Sequence, residues 1–185
     1  MKYHPILFSG PMVRAILEGR KTQTRRVVKP QPERSLVADS KNRAPLAFWM
    51  DNKEWIKPRY QPGDRLWVKE TWCNYDDWLY IYKATPPNWA HNIGWSPSTH
   101  MPRDAARITL EVTNVRVERL QEISEKDAKA EGAPCIEMAG SPGVSTHTNG
   151  FATLWDSLAK PGTRWDNDPW VWVVEFKIVE PEERK

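Results

Sequence analysis

The chain has 185 residues, of which 39% are hydrophobic and 28% are charged, and its formal net charge is +3. This composition excludes a disordered acidic or basic tail, and the length suits a single domain spanning residues 1–185. The two cysteines and four histidines fall in no metal-ligand spacing, so the sequence predicts neither a metal site nor a cofactor. No apolar run approaches the roughly 18 residues that span a membrane, which predicts a cytoplasmic protein without membrane contact.

The N-terminal part of the chain predicts a strand, a helix and a second strand. The apolar run 4–8 is typical of a strand, and Gly10-Pro11 opens a helix because proline is tolerated in the first helical turn. Gly19 predicts the end of that helix, since glycine adopts the left-handed conformation that follows many helices. The β-branched stretch 22–28 then predicts the next strand.

Positive charge is concentrated around the stretch GRKTQTRR, residues 19–26. Residues 14–29 carry six basic side chains and one acid, a net of +5 against +3 for the whole chain. Such a local excess attracts anions and lowers the pKa of a neighbouring lysine. The alternative interpretation is a solvated strand edge, where basic residues prevent aggregation.

Residues 29–62 are proline-rich and predict a long insertion with a small hairpin around Phe48-Trp49 and Trp55-Ile56. Two aromatic strands are predicted after it, over 65–72 and 78–84. The apolar alternation within 108–117 then changes parity, which predicts a β-bulge near Thr113-Asn114 or a bend between two strands.

The last third of the chain predicts two helices separated by a loop, and a closing strand. In chain order these are a short helix capped by Ser124 and running to Glu131, a Gly/Ser/Pro-rich loop over 133–150, a helix over 151–158 and a strand over 170–180.

Four stretches follow one another along the chain: the helix with GRKTQTRR, the strand entry PGDRLWV, the helix SEKDAKAEG and the closing strand WVWVVEF. In this order they resemble the ASCH domain family, a branch of the PUA-like β-barrels, from about Ile6 to Phe176. The segment WSPSTHMPR resembles the phage and prophage members. The resemblance implies an α+β fold, a PUA-like mixed β-barrel of about six strands with two or three peripheral helices and insertions at about 29–62 and 133–150.

The resemblance also implies a protein that acts on RNA, nucleosides or modified bases. One small bacterial relative in the family is an amidohydrolase that removes the acyl group from N4-acetylcytidine, and its motif matches Lys21, Thr24 and Glu131 here. The implied activity is metal-independent hydrolysis of N4-acylated cytosine nucleosides. Lys21 is then the base, Thr24 the nucleophile and Glu131 the proton-relay acid.

Ten further residues are predicted to hold a nucleoside or modified nucleobase, and they fall into a basic group, an aromatic group and a group at the mouth of the site. They are Arg20, Thr22, Arg25 and Arg26; Trp72, Tyr82 and Trp95; and Ser98, His100 and Arg103. For each aromatic residue, packing in the core is the alternative.

The spacing of Lys21 and Thr24 sets a geometric condition on this site. Residues three apart on a regular strand point to opposite faces. The two side chains therefore converge only if Lys21 lies in the turn after Gly19 or if a bulge intervenes. The alternative functions are non-catalytic binding of RNA or modified DNA, in a protein of phage origin, and a ribonuclease; the oligomeric state stays open.

Overall fold

The computed structural model describes residues 1–32, 34–35, 47–49, 54–76, 79–138 and 141–180. The strands are β1 (Tyr3–Leu7), β2 (Gln23–Val27), β3 (Arg34–Ser35), β4 (Ala47–Trp49), β5 (Glu54–Ile56), β6 (Arg65–Lys69), β7 (Trp72–Asp76), β8 (Leu79–Tyr82), β9 (Thr109–Arg119), β10 (Ile136–Met138), β11 (Ser141–Thr146) and β12 (Trp170–Val179). The helices are α1 (Gly10–Leu17), α2 (Glu125–Ala130) and α3 (His147–Leu158). This mixture confirms the predicted α+β class.

A five-stranded sheet with the order β1-β6-β9-β12-β2 carries the fold. β1 and β6 are parallel, and the other neighbours are antiparallel, so the sheet is mixed. The predicted bulge is confirmed, because Glu175 pairs with Asn114 while the next residue, Phe176, pairs with Val112. The extra residue, Thr113, restores the inward direction of the apolar side chains that follow it.

The sheet curls so that its two edge strands, β1 and β2, face each other. Arg26 on β2 donates a hydrogen bond from Nη2 to the carbonyl oxygen of Leu7 on β1 at 3.0 Å. The inner face of the sheet packs against one hydrophobic cluster, to which strands β1, β6, β9 and β12 and helix α1 contribute. The cluster includes Ile6, Val13, Leu66, Val112 and Val174. Within the described residues β1 and β2 do not pair, so the barrel is open on this side and has five strands where about six were expected.

Helices α2 and α3 pack outside the sheet, as predicted, whereas α1 packs against its inner face. Val171 and Val173 on the outer face of β12 are fully buried against a second cluster that includes Ala128 and Phe151. Burial on both faces explains why β12 is almost continuously apolar. No helix in the described part of the chain is long and apolar enough to cross a membrane.

The expected loop over 133–150 is wrong, because this segment contains the hairpin β10–β11 and the first turn of α3. Two side chains start α3 at His147 and not at the predicted Phe151. Thr146 Oγ1 accepts a hydrogen bond from the backbone N–H of Asn149 at 3.1 Å. The Glu125 carboxylate on α2 accepts from the backbone N–H of His147 at 2.6 Å.

The smaller hairpin predicted near residue 50 is confirmed by the pairing of β4 with β5.

Gly150 allows α3 to approach the segment after α2 closely. A Cβ atom at Gly150 would lie 1.8 Å from the carbonyl oxygen of Pro134. Glycine to alanine in an open helix stabilises by about 1 kcal/mol. Here we expect Gly150→Ala to destabilise by about 1–3 kcal/mol in denaturant unfolding, because backbone must move. Gly10→Ala in α1 is the control, since its Cβ meets nothing closer than 3.7 Å; equal effects of the two substitutions would contradict this packing.

Candidate active site

The C-terminal end of α1 fixes the position of Lys21. Gly19 has φ 72°. The backbone N–H of Gly19 donates to Ile16 O at 2.9 Å, and that of Arg20 donates to Ala15 O at 2.8 Å. This pair of bonds is a Schellman motif. Lys21 N–H also donates to Ala15 O at 2.9 Å, so Lys21 lies in the turn before β2 begins, which is the first of the two options that the spacing allowed.

The C-terminal end of α2 places Glu131 beside Lys21 in the same way. Gly132 has φ 76°, and its N–H donates to Lys129 O while that of Ala133 donates to Ala128 O. A Cβ atom at Gly132 would lie 3.0 Å from Ala15 Cβ and 3.2 Å from Lys21 Cβ. Two helix ends therefore meet with only a glycine between them, and Lys21 and Glu131 form an antiparallel bridge.

Lys21 is buried, with 2% of its surface exposed. Its Nζ donates to Glu131 Oε2, to Glu131 O and to Gln23 O, each at 2.8 Å. Burial lowers the pKa of Lys21 below its ordinary value; Glu131 opposes this shift, and Arg26 and Arg25 add to it. Arg20 takes no part in this shift of the pKa, because it is exposed and pairs with Glu18.

Glu131 is held through both of its carboxylate oxygens. Oε2 accepts from Lys21, and Oε1 accepts from Arg25 Nη1 at 3.1 Å. The Arg25 side chain is fully buried and continues to Glu118, which in turn pairs with Arg116. Arg25 was predicted to bind substrate; its guanidinium is engaged with Glu131 and Glu118 and so positions Glu131, and its part in binding stays a prediction.

A cavity of about 700 Å³ opens between β1 and β2, and both Thr24 and Glu131 line it. Thr24 is opposite Val174, and Arg26 is opposite Trp172, so both share the inner face of the curled sheet. The Thr24 side chain makes no hydrogen bond within the part of the chain that the structure describes. This volume suits a small organic ligand.

Three aromatic residues line the cavity, namely Tyr60, Trp155 and Trp172, and sequence reasoning did not select any of them. Tyr60 lies at the end of the proline-rich insertion, and Trp155 and Trp172 had been assigned to the apolar faces of a helix and a strand. No local signal separates a cavity aromatic from a core aromatic in such positions.

The other predicted binding residues do not line this cavity. Thr22 is exposed, and its backbone N–H donates to Ala130 O at 2.8 Å. Tyr82 donates from its hydroxyl to Ala105 O at 2.8 Å, under the guanidinium of Arg107. Trp72 forms a bridge with Ser96 beside β7.

The turn-rich segment after β8 lies in the same region as Trp72 and Tyr82. Trp95 is half-buried, and Ser98 and His100 form one short 3-10 turn. Arg103 lies over the ring of Tyr3 at 4.2 Å. The structure therefore separates these residues from Lys21, Thr24 and Glu131, and their part in binding stays a prediction. Among the described residues no cluster of His, Cys, Asp and Glu suits a metal ion.

Comparison with known proteins gives structural neighbours only. An ASCH domain from Lactobacillus crispatus JV V101 is similar at 17% identity, with 97% of this chain and 81% of that chain covered and a TM-score of 0.44. The hypothetical protein PH0355 is similar at 14% identity, covering 97% of this chain and 100% of that one, with a TM-score of 0.44. EF3133 from Enterococcus faecalis V583 is similar at 11% identity, covering 100% and 84%, with a TM-score of 0.46. No family model and no curated protein matches the chain.

The buried pair of Lys21 and Glu131 is open to a double-mutant cycle. Glu131→Leu leaves the buried Lys21 without its carboxylate, while Arg25 keeps Glu118, so we expect it to destabilise by about 3–5 kcal/mol. Lys21→Met leaves Glu131 with Arg25 and costs less. The double variant is expected to cost at least about 1 kcal/mol less than the sum, measured by denaturant unfolding.

The more exposed pair of Lys177 and the half-buried Glu111, with Nζ and Oε1 3.3 Å apart, is the control. Its cycle of alanine substitutions is expected to give a coupling below about 1 kcal/mol, because solvent screens it. Additive effects at Lys21 and Glu131 would show that the two side chains do not depend on each other.

Proposed function

We propose that the protein is a metal-independent amidohydrolase that removes the acyl group from N4-acylated cytosine nucleosides. The observation that carries the proposal is that Thr24 and Glu131 line one cavity while Lys21 is bound to Glu131 at 2.8 Å. These are the three positions that match the amidohydrolase motif. Glu131 lies 107 residues after Thr24 and 110 after Lys21 in the sequence, so only the fold brings it to the other two.

The reaction starts from the fraction of the protein in which Lys21 is neutral. Thr24 Oγ1 attacks the acyl carbon, and the hydroxyl proton passes to Lys21 Nζ. The contact between Lys21 Nζ and Glu131 Oε2 then carries a proton to Glu131, which protonates N4 of the cytosine as the C–N bond breaks. Water hydrolyses the resulting acyl-threonine ester, giving the carboxylic acid and restoring Thr24.

Burial has two roles in this scheme. It lowers the pKa of Lys21 and so raises the neutral fraction of a group that is charged at the surface. It also excludes water from the proton path, since Lys21 and Glu131 are both at least 96% covered. The hydrogen bonds from Lys21 and Arg25 hold the Glu131 carboxylate in place, so the proton transfer does not require Glu131 to change its position.

A second function, non-catalytic binding of RNA or modified DNA, is favoured by one specific observation. All three Nζ protons of a charged Lys21 have an acceptor at 2.8 Å, so the ammonium is satisfied where it lies. In that state Lys21 holds the two helix ends together and has no lone pair for Thr24. Salt-dependent binding of RNA without hydrolysis is the result that this alternative predicts.

Thr24 provides the sharpest test of hydrolysis. Thr24→Val keeps the shape of the side chain and removes the hydroxyl, so we expect the hydrolysis of N4-acetylcytidine to fall at least about a hundredfold. Thr24→Ser keeps a hydroxyl and is expected to retain measurable activity. The assay follows release of acetate and cytidine in the presence of EDTA. A Thr24→Val variant as active as the unmodified chain would eliminate Thr24 as the nucleophile.

The pH dependence of kcat/KM tests the role of Lys21. A base is active when neutral, so kcat/KM is expected to rise with pH and level off above the pKa of Lys21. Because burial lowers that pKa, the midpoint should lie below the ordinary lysine value of about 10.4. Lys21→Arg keeps the charge but supplies no base, and it should abolish the pH-dependent rate. A flat profile in the unmodified protein would contradict a titrating base.

A further inference from the structure

Arg26 differs from its neighbour Arg25 in having no carboxylate partner within the described residues. It lies on the inner face, two residues after Thr24, and lines the same cavity. Its guanidinium makes one hydrogen bond, to Leu7 O, and lies over the ring of Phe8 at 5.5 Å. A guanidinium has five N–H donors, so most of its donor capacity is free for a ligand.

The rim of the cavity adds four more cations. They are Lys29, Lys57, Arg59 and Lys160, all exposed and without an acidic partner in the described ranges. Among the described residues, six basic side chains and one acid line the cavity, a net of +5. The single acid, Glu131, is already matched by Lys21 and Arg25. The unmatched charge therefore belongs to the cavity.

We infer that the cavity takes a phosphate monoester, so that the substrate of the proposed hydrolysis is a nucleotide and not a free nucleoside. Arg26 is the inner phosphate ligand, and Arg59, with Lys57 beside it in sequence, closes over the phosphate from the 56–60 segment. This inference rests on the proposed function and names the substrate class of the same site. It adds a specificity role for residues that take no part in the proton relay.

Charge and spacing favour a monoester over the other anions. A carboxylate or an internal phosphodiester carries one negative charge, whereas a phosphate monoester carries about −1.5 to −2 near pH 7. Five cations that have no acidic partner among the described residues line one cavity, and this number suits the larger charge. Arg26 is two residues from Thr24 on one strand face, which separates their Cα atoms by roughly 7 Å.

The experiment is a set of binding titrations by calorimetry with cytidine, cytidine 5′-monophosphate and inorganic phosphate, using the full chain. We expect the monophosphate to bind at least tenfold more tightly than cytidine, and inorganic phosphate to compete with it. Arg59→Met, an exposed position, should remove most of this preference, and Arg26→Met should remove it as well. Lys126→Gln on the outer helix α2 takes away one charge far from the cavity and should leave the preference unchanged.

Oligonucleotides separate the two sources of a phosphate monoester. If a 5′-phosphorylated tetranucleotide binds as tightly as the mononucleotide, the site recognises the phosphorylated ends of nucleic acid chains. If it binds more weakly, the site recognises free nucleotides. Both results support the inference. An unphosphorylated tetranucleotide that binds equally well overturns it in favour of internal phosphates. Equal affinity for cytidine and its monophosphate, or no binding of either, overturns it as well.

Binding and hydrolysis fail independently in this design. Thr24→Val should keep the preference for the monophosphate, since it changes no cation. If the unmodified protein shows the preference but hydrolyses no acylated substrate, the proposed function fails and the phosphate site stands. If it hydrolyses N4-acetylcytidine and its 5′-monophosphate with equal kcat/KM and binds them equally, the phosphate site fails and the proposed function stands.

Discussion

The buried ion pair between Lys21 and Glu131 is the interaction on which the rest of the site depends. Taking two charges out of water costs several kcal/mol per ion, and such a pair is kept only when its hydrogen bonds are nearly complete. Here Lys21 has three acceptors and Glu131 has a cation on each oxygen. A pair of apolar residues would hold the helix ends at lower cost. The charged pair therefore points to a role in chemistry or recognition beyond stability.

Strand β2 divides the charges of the protein into two environments. On its outer side Arg25 belongs to a network in which every cation faces a carboxylate, including Glu118 and Asp127. On its inner side Arg26 and Thr24 face a cavity with no free acid among the described residues. The period of two along a strand separates these roles with neighbouring residues. The outer network connects β2 to β9 and to the C-terminal end of α2, and the inner face keeps the donors of Arg26 available.

The sequence predicted the local features of this site well. The two glycines that end α1 and α2, the capping role of Ser124 and the bulge at Thr113 all follow from backbone chemistry within a few residues. The burial of Glu131 did not follow, because a glutamate at a helix end is usually solvated. Its partner Lys21 is 110 positions away, and no local pattern encodes that contact.

Two other predictions from the sequence are wrong for the same reason, because contacts between distant parts of the chain determine the structure there. The hairpin within 133–150 was hidden by turn-forming residues, and α3 starts early because Glu125 from another helix caps it. Ser98, His100 and Arg103 do not line the cavity, and Arg103 lies over the ring of Tyr3 on β1, so their part in binding stays a prediction. Long-range packing decided each of these positions. The resemblance supplied the order of the elements and left the packing open.

A direct titration of the Lys21 side chain by nuclear magnetic resonance tests the central claim, that a buried lysine bound to the cavity residue Glu131 gives up its proton more readily than a surface lysine. The Nζ resonance is assigned by its loss in Lys21→Arg and is compared with that of exposed Lys126 in the same sample. The account predicts a midpoint for Lys21 clearly below that of Lys126, because burial disfavours the charged form. A midpoint at or above that of Lys126 would show that Glu131 holds Lys21 as an ammonium, and the proposed base would be excluded.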